Sequence, residues 1–419
     1  MTLRPGILAP LAPLAPLAPL APLAPLAPLA PLALLALLLG LAWPIAAASS
    51  PPPVAALSSD VALTSPRLPP PSHTSGQKWR IGYVGSGEYE EYLRTLYAIA
   101  RALQQLGWLH IDDMPEITDM RKAWLYLATH ARSNYIEFVP DAWWQPGNFD
   151  TALRPAVREA VAARLRGAKD IDLIIAMGTW AGQDMVELGT PVPTVVVSST
   201  DPISARIIPS AADSGQDNLH ARVQPDHYQR QIQLLHDIVP FKTLGLVYED
   251  TEAGRTYAAI DKVAALMPTL DFSVKRCDAR ATGIPIATAT QNVLNCYQKL
   301  SSEVDAFYVT EHRSITSTSV KQLAALLRAA RVPSFSMQGS DEVKAGLLMS
   351  LAKADYSSVG MFHAQTIARI FNGEKPRSIS QVWNAPAKIA INLETARRIG
   401  FDPPVDILLA ADEVYEAER

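Results

Sequence analysis

The side chains best placed to do chemistry stand where short apolar runs end. Ser86 lies in Gly85-Ser86-Gly87, Thr179 and Trp180 follow Gly178, and Ser199, Thr200 and Asp201 follow the run at 194–198. Tyr248 with Glu249, then Glu311, then Gln338 hold the same kind of position further along. The hydroxyls can meet a polar ligand, and Glu249, Glu311 and Asp201 can accept charge-assisted hydrogen bonds from an ammonium group. Trp180, Tyr248 and Tyr308, and the adjacent pair Trp143 and Trp144, can supply apolar walls. Each has a plainer alternative: Thr179 as a helix cap, Asp201 as the fixer of a turn, the glutamates as solvated loop residues. Gly85-Ser86-Gly87 opens like a dinucleotide fingerprint, but Glu90 stands where the third glycine belongs. The helix amino end that follows still suits an anion, although Glu88, Glu90 and Glu91 crowd it.

These residues form no catalytic set. The chain has no Gly-x-Ser-x-Gly elbow, P-loop or His-Glu-x-x-His. His227 and His312 have no evident nucleophile, and nothing fixes a spacing between Glu249 and Glu311 for acid/base work. The expectation is a binder with no cofactor and no metal.

The runs that carry these residues alternate with amphipathic stretches. Strands are expected at 79–84, 135–139, 171–176 and 194–198, with helices at 88–105, 119–131 and 151–166. A polar segment, 202–225, has no such pattern and reads as a crossing to a second block. There a helix is expected at 226–239, strands at 243–248, 272–276, 306–309 and 334–337, and helices at 254–267, 288–301 and 319–331. A long helix at 356–372, a strand at 388–392 and a short helix at 393–399 close the pattern. Strands alternating with helices predict parallel sheets, which bind ligands outside the carboxyl ends of their strands. The expected organisation is a first lobe at 79–201, a crossing segment and helix at 202–240, a second lobe at 241–338 and a returning segment at 339–419.

The chain has 419 residues, 48% of them hydrophobic, enough for two lobes with sizeable cores. A formal charge of -4 gives no reason to expect nucleic acid or an anionic membrane as partner. Residues 1–48 stand apart. An Ala-Pro-Leu triplet repeats from Ala9 to Leu32, and proline at every third position excludes an α-helix. The proline-free run at 32–43 and Ala46-Ala47-Ala48 after it form the pattern of a signal peptide cleaved near Ala48. An uncleaved anchor or a misassigned start codon is the alternative. Residues 49–78, rich in Pro and Ser, are expected to be a disordered tether. Cys277 and Cys296 are the only cysteines. In an oxidising compartment they can pair; two separate buried thiols are the other reading.

Several stretches resemble the substrate-binding proteins of ABC transporters, in the subfamily of tryptophan- and tyrosine-type binders. They are 172–181 (DLIIAMGTWA), 193–205 (PTVVVSSTDPISA), 242–248 (KTLGLVY), 304–308 (VDAFY), 370–376 (IFNGEKP) and 390–413 (AINLETARRIGFDPPVDILLAADE). The resemblance implies a type I periplasmic-binding fold, two Rossmann-like α/β lobes around a ligand cleft, with Thr179, Asp201 and Tyr248 at cleft-lining strand ends. The chain departs from the family pattern at Glu311-His312-Arg313, at Gly85-Ser86-Gly87-Glu88, and at Asn218-Leu219-His220-Ala221, where an Asn-x-Thr-Gly run is usual. The function implied is an exported, periplasmic, monomeric protein that captures a small molecule, an amino acid or related carboxylate, and delivers it to an ABC permease of the inner membrane. A sensor subunit of the same fold feeding a kinase, and an exported α/β enzyme, are the rival readings.

Overall fold

The computed structural model describes residues 70, 77–352, 356–384 and 388–416. The signal-peptide pattern, its cleavage point and nearly all of the tether lie outside the described residues.

The first block runs β1 (Trp79–Gly85), α1 (Glu90–Gln105), α2 (Met120–His130), β2 (Ile136–Trp144), α3 (Arg154–Gly167), β3 (Leu173–Met177), α4 (Thr179–Leu188), β4 (Thr194–Val197) and β5 (Leu219–Ala221). Helix α5 (His227–Ile238) leads into the second block: β6 (Thr243–Tyr248), α6 (Glu252–Tyr257), α7 (Ile260–Leu270), β7 (Ser273–Asp278), α8 (Ile286–Leu300), β8 (Ala306–Val309), α9 (Ser319–Ala330), β9 (Ser334–Ser336), α10 (Ser340–Lys344) and β10 (Met349–Ala352). The chain ends with α11 (Tyr356–Phe371), β11 (Lys388–Asn392), α12 (Leu393–Ile399), α13 (Val405–Ala410) and β12 (Ala411–Tyr415).

Two sheets result. The first has the order β2-β1-β3-β4-β5 and is parallel throughout. The second has the order β12-β11-β10-β9-β8-β6-β7. Its β7-β6-β8-β9-β10 portion repeats the order of the first sheet. Strand β3 shows why a central parallel strand has this sequence: Leu-Ile-Ile-Ala-Met is buried at every position, because helices cover both faces. Helix α1 turns Leu96, Ile99 and Leu103 into the first core, where each contributes roughly 1.5–3 kcal/mol by leaving water.

Three features depart from the sequence expectations. Segment 202–225 carries β5, which pairs with β4 as a fifth strand of the first sheet. The helix expected at 254–267 is two, α6 and α7, broken where Ala259 takes φ of 51°. The second sheet is mixed, since β10 and β11 run antiparallel. The segment at 339–419 contributes to both lobes. Ala364, Ile367, Ala368 and Phe371 of α11 complete the first core, whereas β10, β11 and β12 extend the second sheet. Cys277 of β7 and Cys296 of α8 form a disulfide, their Cα atoms 5.6 Å apart.

Candidate functional site

In both sheets the chain order reverses next to the first strand of the block, at β1/β3 and at β6/β8. Ligands of such sheets bind outside the carboxyl ends of the strands at this reversal. The two reversals face one another across a cavity of about 50 Å³. One water needs about 10–15 Å³ by the same measure, so the cavity admits a compact ligand.

The first lobe supplies aromatic walls. Tyr89 and Tyr92 come from the start of α1, Phe149 from the loop after β2, and Trp180 from the first turn of α4. Thr179, Ser198 and Thr200 add hydroxyls. The second lobe supplies charge: Glu249 after β6, and Glu311, His312 and Arg313 after β8, with Tyr257 at the end of α6 and Thr282 after β7.

Local chemistry fixes these groups. The Ser86 hydroxyl donates to the Met177 carbonyl (3.0 Å) and accepts from the Ala181 N–H (3.1 Å), which ties the end of β1 to the amino end of α4. Gly178 has φ of 91°, and a Cβ there would stand 2.1 Å from the Tyr92 hydroxyl; only glycine fits this turn. Arg154 packs over the Trp180 ring at 5.0 Å and binds Asp184, which holds the indole against the cavity. Burial pushes the Asp184 carboxyl up, against the pull of Arg154 and Arg158. Glu249 accepts from the Thr282 hydroxyl (2.6 Å) and N–H (3.1 Å). A Cβ on Gly254 would come within 2.0 Å of the Glu249 carbonyl, so α6 can approach that strand end only through glycine. His312 holds its loop: Nε2 lies 2.9 Å from the Ala279 carbonyl, Nδ1 lies 2.8 Å from the Ser314 hydroxyl, and burial lowers its pKa. The Arg313 guanidinium donates to the Ala281 and Ile284 carbonyls and to Asn148 across the cleft. The Tyr257 hydroxyl is buried with no hydrogen-bond partner among the described residues, and burial, with Glu311 next, raises its pKa.

Of the residues singled out in the sequence, the cavity brings together Thr179, Trp180, Thr200, Glu249 and Glu311. Ser199 stands one shell back, 3.3 Å from the Thr179 hydroxyl. Ser86 is the tie beneath α4. The Asp201 carboxylate accepts from the Ile203 and Ser204 N–H groups and the Ser204 hydroxyl, and pairs with Lys262 across the cleft at 3.2 Å. Its oxygens hold a turn and a bridge, and it does not line the cavity. Tyr248 and Tyr308 pack inside the second core. Trp143 stacks on Tyr83 inside the first lobe. Gln338 donates to the Tyr89 hydroxyl at 2.7 Å and lines a second, wider groove. Tyr89, Tyr92, Phe149, Tyr257, Thr282 and Arg313 escaped the sequence reading. Thr282 and Arg313 follow strands and fit the strand-end rule, whereas nothing local marks Tyr257, which the break after α6 delivers to the cavity.

Residues 149–415 match the model of the ABC transporter substrate binding protein family. The chain belongs to that family. Solved structures agree on its type I fold of two α/β lobes. An ABC domain in complex with L-Trp from Streptococcus pneumonia is 18% identical, with a TM-score of 0.61 over 81% of this chain and 100% of that one. A conserved domain protein from Vibrio cholerae is also 18% identical, with a TM-score of 0.59 over 81% and 100%. A ligand-free, open substrate binding protein with adhesive properties from Clostridium difficile is 17% identical, with a TM-score of 0.52 over 81% and 99%. At such identities the likeness shows the fold alone. No curated protein matches the chain in sequence. Among the described residues no helix is long and apolar enough to cross a membrane, and no group of three or more His, Cys, Asp or Glu is placed to hold a metal ion.

Proposed function

We propose that this substrate-binding protein is exported, captures a small zwitterion of the amino-acid class between its lobes, and delivers it to an ABC permease. The observation that carries the reading is the opposition of groups across the cavity. The first amides of a helix have no intrahelical acceptor, so the amino end of α4 at Thr179 and Trp180 suits a carboxylate. Glu249 and Glu311, from the other lobe, suit an ammonium group. Phe149, Trp180 and Tyr257 enclose what lies between, and the free Tyr257 hydroxyl offers one more polar contact. A compact side chain fits the closed cavity; a ring-bearing one requires Tyr257 or Phe149 to move.

The binding step needs no covalent chemistry. A ligand bridging α4 and the two glutamates favours the closed arrangement because it contacts both lobes only there. Binding to the folded form raises the melting temperature by mass action. The test is a thermal screen of small, aromatic and acidic amino acids with the mature protein, followed by calorimetry on the hits. Saturable binding of an amino acid that is lost when its ammonium or carboxylate is blocked supports the reading. A ligand indifferent to both blocks removes it. Amino-terminal sequencing of protein from the periplasm tests export: an end near Ser49 is expected, and an intact Met1 in the soluble fraction contradicts it.

A further inference from the structure

A second polar space lies on the other side of Tyr89. It is a groove of about 720 Å³ between the lobes, and Arg222, just beyond β5, lines it.

The Arg222 side chain is unpaired among the described residues. Its Nε is buried with no hydrogen-bond partner, and its guanidinium lies 4.6 Å over the Trp383 ring. Behind it, His363 of α11 is fully buried with neither ring nitrogen partnered, and His220 of β5, also fully buried, has Nδ1 unpartnered. Arg222 is half-buried, with Nε out of water, and a cation partly withdrawn from water and given no anion is costly, since such groups are normally paired. The acids of the groove are committed elsewhere. Glu90 and Asp341 bind Arg94, Glu342 accepts from Ser336, and Glu413 accepts from Tyr415. Glu91 also lines the groove, and the fields of Tyr228, then of Glu91 and Glu311, act on Arg222.

We propose that the groove at Arg222 is a second ligand site, which binds the carboxylate of a small organic acid separately from the enclosed cavity. Trp383 covers one face of the guanidinium, so the donors left are those of its planar edge, which matches a carboxylate. At Arg222 itself one unpaired guanidinium, with Glu91 and Glu311 acting on it, suits one negative charge better than a phosphate dianion. The inference does not depend on what the enclosed cavity binds.

The test is a titration with acetate, succinate and inorganic phosphate at constant ionic strength, followed by the arginine Nε–H resonances and by calorimetry. Wild type, Arg222→Lys and Arg222→Met are compared. Expected are saturable acetate and succinate binding that perturbs the Arg222 resonance, a loss of about tenfold or more in Arg222→Lys, and no binding in Arg222→Met. The thermal response to amino acids stays as in wild type, since Arg222 does not line the enclosed cavity. Should Arg222→Met not fold, the wild-type titration and Arg222→Lys decide. No saturable shift of the Arg222 resonance, equal carboxylate affinity in the variants, or tighter binding of phosphate than of carboxylates would each overturn the proposal.

Discussion

At the scale of the residue, two acids that look alike in the sequence do different work. Glu311 lines the cavity and accepts from the Thr200 hydroxyl across the cleft at 2.7 Å. Asp201 lies out of the cavity and is filled by the Ser204 turn and Lys262. Glu311→Gln keeps the shape and removes the charge. It should weaken binding of an ammonium-bearing ligand by about tenfold or more, since such a hydrogen bond contributes roughly 1.5–3 kcal/mol and about 1.4 kcal/mol is one decade. Asp201→Asn should instead lower the stability of the ligand-free protein by about 1–2 kcal/mol, with a smaller change in affinity. Calorimetry and urea unfolding on both variants separate the roles, and the reverse pattern exchanges the assignments. Burial raises the Asp201 pKa, but the Ser204 N–H and hydroxyl and then Lys262 outweigh it and leave it lowered. A lowered carboxyl contributes stability above its unfolded pKa of about 3.9 and loses it as pH falls further. The strand-end rule placed both acids near the cleft. It could not divide them, because the division rests on Ser204 and Lys262, one in the same turn and one on the opposite lobe.

At the scale of the element, legibility followed apolar continuity. β3, β4, β6 and β8 are runs of buried aliphatic and aromatic residues, and their sequences announce them. β5 is three residues, Leu-His-Ala, and carries neither alternation nor a run. It is a strand because β4 offers it a free edge. The break between α6 and α7 falls at Ala258 and Ala259, residues that favour helix, so only packing can impose it. The disulfide joins β7, on the sheet edge, to α8. Cys296→Ala should cost about 2–4 kcal/mol, because the closed loop of roughly twenty residues restrains the unfolded chain; equal unfolding midpoints with and without reductant would contradict it. The contact of β5 with α11, where His220 meets the Phe362 ring, carries a pH dependence. Burial, only partly offset by the Ser380 carbonyl, lowers the His220 pKa to about 4. Burial, then Arg222 and His220, hold His363 well below its ordinary value. Below about pH 6.5 the unfolded chain binds protons that these folded imidazoles refuse. Stability present above that pH should therefore fall as pH drops toward 4, by about 3 kcal/mol for His220 alone. Urea unfolding at pH 7 and pH 5 checks this, and His363→Leu should flatten the slope.

At the scale of the molecule, the lobes are latched shut. Arg94 bridges to Asp341 at 2.7 Å, Tyr89 meets Gln338 at 2.7 Å, Thr200 meets Glu311, and Asn148 meets Arg313. All of these contacts join a residue of the first block to one of the second, and most ring the cavity without occupying it. The exposed ion pair contributes little, about 0–1 kcal/mol, and a neutral hydrogen bond about 0.5–1.5 kcal/mol. Such a latch biases closure without locking it. Apparent affinity is the intrinsic affinity scaled by the fraction of protein in the binding-competent form. The double variant Arg94→Ala with Gln338→Ala removes two latch contacts and leaves Glu249, Glu311, Thr179 and Trp180 in place. Its ligand-free radius of gyration, by small-angle scattering, should exceed that of the wild type, and ligand should restore the compact form. Affinity should fall by about threefold to thirtyfold, which corresponds to roughly 0.6–2 kcal/mol moved from closure to opening. An opened variant that binds with unchanged affinity would mean that closure is not coupled to capture, and the latch would then be only a feature of the resting shape.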